Sequence, residues 1–73
     1  MTTYGQRINQ FRIERNLTIR QLSAMARITE ATLNSWIYRG VHPDIDHLIK
    51  LADTFGVSLD ELVGRTFPKE EQI

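Results

Sequence analysis

Apolar residues recur along this chain at three- and four-residue intervals, and strict alternation never lasts long enough to make a strand. The clearest stripe is Ile45, Leu48, Leu51, Ala52 and Phe55, spaced i, i+3, i+6, i+7 and i+10, which puts one apolar face on a helix. Ile8 and Phe11 share a face in the same way, as do Leu22 and Ala26, and Leu33, Trp36 and Ile37, while Leu59, Leu62 and Val63 close the set. Polar punctuation separates these stripes. Thr3-Tyr4-Gly5-Gln6, Thr18-Ile19-Arg20-Gln21 and Ser58-Leu59-Asp60-Glu61 each fit a capping box, in which the hydroxyl accepts from the third helical amide and the Gln or Glu side chain returns to the cap amide. Thr29 and Asp44 are further N-caps. Three starts also carry an apolar residue before the cap and another four positions into the helix: Leu17 with Leu22, Ile28 with Leu33, and Val57 with Leu62. Asn16, Gly40 and Gly56 tolerate the left-handed backbone that ends a helix. The pattern predicts five helices, at about 4–15, 19–26, 30–38, 45–55 and 59–63, packed as one all-α domain over residues 1–64, with 65–73 as a short tail.

The second and third of these helices are short and joined by about three residues, which is the form of a helix-turn-helix. Their axes meet steeply, so a small residue is needed where they come closest, and Ser23 stands between Leu22 and Ala26 on that face. With Leu33, Trp36 and Ile37 inside, the outer face of the third helix is centred on Ala31, Ser35 and Tyr38 and flanked by Thr32 and Asn34. That face is uncharged and mostly short, which suits entry into a major groove about 12 Å wide.

Charge sharpens the picture. The 73 residues carry nine basic and nine acidic side chains. They are unevenly dealt: residues 1–42 hold six arginines against two glutamates, a net +4, and residues 43–73 hold a net −4. A basic half suggests a polyanion on one side; uneven surface charge is the plainer alternative. There is no cysteine, so disulfides and thiolate metal sites are excluded. No apolar run approaches the ~18 residues of a membrane span, and the N-terminal segment does not read as a signal peptide, so the cytoplasm is the expected compartment. His42, Asp44, Asp46 and His47 match no recurring metal-ligand spacing, and Asp44 and Asp46 have readings as a cap and a first-turn acid. No nucleophile–base pair or glycine-rich phosphate loop stands out, so no cofactor, metal or catalysis is expected.

The run LTIRQLSAMARITEATLNSW, followed by PDIDHLIKLADTFGVSLDELVG, resembles the phage repressor/Cro family of helix-turn-helix regulators, and the likeness extends over residues 4–64. The resemblance implies a sequence-specific transcriptional regulator, a repressor in particular. Its third helix would read base edges through Glu30, Ala31, Thr32, Asn34 and Ser35. It also implies phosphate contacts from Thr18, Arg20 and Gln21 at the start of the second helix, and from Arg39, Gly40 and His42 after the third. Two-fold dimers on inverted-repeat DNA are the family's usual arrangement. Glu30 can accept from cytosine N4, but an acid at a helix start is also favoured by the dipole alone. Tyr38 can stack on sugar-phosphate or simply lie on the surface; Trp36, on the Leu33 face, reads as core. Leu62, Val63 and Phe67 exceed what so small a core needs and are the candidate dimer seam. An antitoxin or adaptor that binds a protein through the same fold is the competing reading, using the acidic half and Leu59, Leu62, Val63 and Phe67. Three positions depart from the family's pattern. Arg27 stands where a glycine is usual, and a left-handed arginine costs roughly 1 kcal/mol. Ile19 replaces a frequent glutamine, and Ile37 replaces a frequent glutamate, leaving Arg12 without its acidic partner.

Overall fold

A computed structural model describes residues 3–64 and contains five helices: α1 (Tyr4–Glu14), α2 (Ile19–Ala26), α3 (Glu30–Tyr38), α4 (Ile45–Phe55) and α5 (Leu59–Val63). No strand occurs among the described residues. The 65–73 tail and Phe67 lie outside them.

The helix starts follow from their caps. Thr3, Thr18 and Ser58 each close a complete capping box, with the hydroxyl accepting from the amide of Gln6, Gln21 and Glu61 respectively. Thr29 Oγ1 accepts from the Thr32 amide at 3.2 Å. Asp44 occupies the N-cap position of α4 without capping it. Its carboxylate is held instead by His47 Nδ1, one turn on. This hydrogen bond keeps the Asp44 carboxyl below its ordinary value of 3.8, because it stabilises the charged form. The stops are left-handed residues as well: Asn16 after α1, Arg27 after α2, Gly56 after α4 and Gly64 after α5, with Gly40 two residues beyond α3.

The core is Ile8, Leu22, Ala26, Ile28, Leu33, Trp36, Leu48, Leu51, Ala52, Phe55 and Leu62, with Phe11, Leu17, Ile19, Ile37, Val57, Leu59 and Val63 packed around it. The apolar residues flanking the three caps, Leu17/Leu22, Ile28/Leu33 and Val57/Leu62, all contribute. Ile45 does not; it is 55% exposed. The buried arc of α4 centres between Leu51 and Ala52, and at 100° per residue Ile45 falls beyond its edge together with Ile49, which is also exposed.

α1 packs across α3, α4 and α5, and α2 across α3 and α4. At the α1–α3 crossing the backbones nearly touch: a Cβ built on Gly5 would lie 1.7 Å from the Trp36 carbonyl oxygen. Gly5 is where this crossing leaves no room for a side chain. Ser23 serves the α2–α3 turn differently, its hydroxyl donating to the Ile28 carbonyl at 2.5 Å.

Candidate nucleic-acid interface

The arginines of the basic half divide into two groups. Arg7, Arg12 and Arg15 are engaged within the fold. Arg15 donates through Nε and Nη2 to the Phe55 carbonyl at 3.2 and 2.9 Å, closing the C-terminus of α4. Its guanidinium also covers the stacked rings of Phe11 and Phe55. Arg7 donates to the carbonyls of Glu61 and Leu62 in the last turn of α5 and lies over Phe11. Both place a cation at the negative end of a helix dipole, against its last backbone carbonyls. Arg12 was expected to lack a partner opposite Ile37. It has two: Nε and Nη2 donate to Asn9 Oδ1 at 3.0 and 2.7 Å, and Nη1 donates to the Leu17 carbonyl at 2.6 Å. An amide and a main-chain carbonyl replace the carboxylate.

Arg20, Arg27 and Arg39 form the other group. All three are exposed, and none of their guanidinium groups has a hydrogen bond or ion pair among the described residues. They stand in the first turn of α2, at its C-cap, and at the C-cap of α3. The unengaged positive charge of residues 3–42 is therefore concentrated on the α2–α3 pair.

Around these arginines the start of α2 keeps free donors. Thr18 Oγ1 accepts from the Gln21 amide and Gln21 Oε1 accepts from the Thr18 amide, at 3.0 and 2.8 Å. Among the described residues the Thr18 hydroxyl proton, the Gln21 side-chain NH2 and the first-turn amides of Ile19 and Arg20 have no acceptor, a combination suited to an anion. After α3, the left-handed Gly40 has open space around it. His42 packs edge-on against Tyr4, ring centroids 5.6 Å apart, which fixes this loop to the start of α1.

The outer face of α3 is more finely graded than its sequence suggests. Glu30, Ala31 and Asn34 are exposed, and Tyr38 is 68% exposed, whereas Thr32 and Ser35 are half-buried. Thr32 Oγ1 is paired with Thr29 Oγ1 at 2.7 Å. Ser35 Oγ donates to the Thr32 carbonyl at 2.7 Å and so offers the outside only an acceptor. The Asn34 amide has no partner among the described residues and presents both donor and acceptor. Trp36 is in the core, with His47 against its ring at 5.2 Å.

The expected dimer seam changes. Leu62 is 1% exposed and belongs to the core, because α5 needs it to seal the end of α1 and α4. It is unavailable to a second copy or to any partner. Val63 and Leu59 are half-buried against the same core, which also removes apolar surface from the protein-binding reading. No group of three His, Cys, Asp or Glu side chains could hold a metal among the described residues. No helix there is long and apolar enough to cross a membrane.

Residues 8–62 match the helix-turn-helix family of the Cro/C1 type. The chain belongs to this family. A crystal structure of a transcriptional regulator from Listeria innocua superposes on this helix-turn-helix chain with a TM-score of 0.75 at 26% sequence identity. The match covers 93% of this chain and 64% of that one, so this chain spans under two thirds of the regulator's length. No curated protein matches.

Proposed function

We propose that this chain is a DNA-binding transcriptional regulator, a repressor, that reads the major groove with α3 and grips the flanking phosphates from the start of α2 and the loop after α3. The observation that carries the reading is the division of the arginines among the described residues: Arg7 and Arg15 are spent on helix ends and Arg12 on the α1–α2 turn, while the side chains of Arg20, Arg27 and Arg39 have no partner there. Polyanion binding needs such uncommitted charge, since each neutralised phosphate releases counterions. The family match and the regulator-like fold of the Listeria innocua protein agree with it.

In this reading Asn34 is the principal base reader, with Glu30, Ala31, Thr32 and Ser35 shaping the fit; Thr18, Arg20, Gln21, Tyr38, Arg39, Gly40 and His42 face the backbone. One such helix, without an arginine on its outer face, discriminates few base pairs. A two-fold homodimer on an inverted repeat doubles the contacts, with half-site centres about 34–36 Å apart. Repression then requires only that the dimer occupy its operator, and the protein works where that DNA is, in the cytoplasm.

Selection of bound sites from a random duplex pool tests this. The expected product is an inverted repeat with half-sites one helical turn apart, bound by two copies. A pool that is never enriched overturns the DNA reading; tight one-to-one binding to an isolated half-site overturns the dimer.

A further inference from the structure

We infer that Arg27, the residue in the turn between α2 and α3, is a phosphate-binding residue that holds the wall of the groove opposite Arg20. The inference rests on the DNA-binding reading and adds to it a contact outside the α2 start and the α3–α4 loop.

Arg27 has φ 57° and ψ 45°, a left-handed conformation that an L-residue with a Cβ adopts at a cost. The fold requires this conformation here: the Arg27 amide closes α2 by donating to the Ser23 carbonyl, and the Ile28 amide donates to the same carbonyl at 3.2 Å. Glycine would meet that demand without strain, as it does at Gly56 and Gly64 after α4 and α5. The arginine side chain gives nothing back to the fold among the described residues, because it is exposed and makes no hydrogen bond, ion pair or ring contact there. A strained backbone with a long, charged, unengaged side chain points to a role outside the domain.

Position says what that role is. Arg20 and Arg27 lie seven residues apart on α2 and its cap, which at ~1.5 Å per residue separates their backbones by about 10 Å. The major groove is about 12 Å wide. In the DNA-binding reading α2 is laid across the groove above α3, and this spacing then brings one guanidinium toward each bounding strand. Arg27 also stands three residues ahead of Glu30, the first residue of α3, so its charge lies beside the end of α3 that enters the groove.

The test uses the full chain and a duplex selected by the wild-type protein, and compares Arg27→Gly, Arg27→Lys and Lys50→Ala, the last removing a positive charge from α4. Thermal unfolding is followed beside DNA affinity over a range of salt. Arg27→Gly should raise the unfolding midpoint by a few degrees, about 4 °C for a domain of this size. It should also weaken DNA binding about five- to tenfold at 0.1 M salt and flatten the slope of log K against log salt by about 0.9. Arg27→Lys should keep the wild-type slope, and Lys50→Ala should leave it unchanged. A gain in stability with an undiminished salt slope in Arg27→Gly would overturn the inference while leaving the DNA reading intact. An equal loss of slope in Lys50→Ala would overturn it too, because the effect would then be one of net charge. A wild-type protein with no salt-dependent DNA binding would remove the DNA reading itself.

Discussion

Single residues in this protein carry effects that their neighbours in sequence do not advertise. Gly5 sits in a helix, where glycine is usually a small liability, yet the Trp36 carbonyl leaves no room for a Cβ. Gly5→Ala must push backbone against backbone, and a loss of more than about 3 kcal/mol is expected in urea unfolding, beyond the usual cost of an added methyl group. A variant as stable as the wild type would show that the α1–α3 crossing can open. The helix-turn-helix pattern points to a small residue, Ser23, between α2 and α3, and it says nothing about where α1 crosses that pair, so Gly5 stays unmarked in the sequence. On the outer face of α3, periodicity centres Ser35 and puts Asn34 on the flank, whereas the hydrogen bonds favour Asn34, since the Ser35 hydroxyl is spent on the Thr32 carbonyl. Asn34 has the free donor and acceptor needed for adenine N6 and N7, so Asn34→Ala should cost on the order of 1–3 kcal/mol at one base pair and little on random DNA. Competition with single-position variants of the selected site measures it, and a uniform loss across all variants would mark Asn34 as a backbone contact instead.

At the scale of the element, the sequence was most legible where local chemistry decides. The three capping boxes and the left-handed stops operate within a few residues, and the helix bounds follow them almost to the residue. It was less legible where an element meets another. Ile45 belongs to the apolar stripe of α4 but lies past its buried arc, and Leu62 looks surplus in a count of apolar residues yet is the residue α5 buries. The α4 start shows the same limit within one turn, since Asp44 has cap chemistry but spends its carboxylate on His47. Its lowered pKa makes a pH prediction with a definite sign. A carboxyl whose folded value is depressed adds stability above its unfolded value, and that stability is lost as pH falls through the folded value. A proton titration followed by NMR should find the Asp44 carboxyl below 3.8 in the wild type and returned toward 3.8 in His47→Ala, the hydrogen bond being the largest cause of the shift. An unchanged Asp44 titration in the variant would contradict that cause.

For the whole molecule, the net charge of zero conceals how the charge is used. Sequence showed a basic half before an acidic half. Only the folded chain separates arginines that tie α4, α5 and the α1–α2 turn in place from those around α2 and α3 whose side chains have no partner among the described residues, since the ties of Arg7 and Arg15 run to residues 54 and 40 positions away. That separation is the basis of the DNA reading, and it predicts which surface DNA touches. The most direct test is to follow the backbone amide resonances of the isotope-labelled protein as the selected duplex is added. The largest shifts are expected at Thr18–Gln21, Arg27, Glu30–Ser35 and Arg39–His42, with the amides of Arg7, Arg15 and the C-terminal turn of α4 nearly still. Shifts concentrated on α4 and α5, with the start of α2 and the outer face of α3 unmoved, would contradict it.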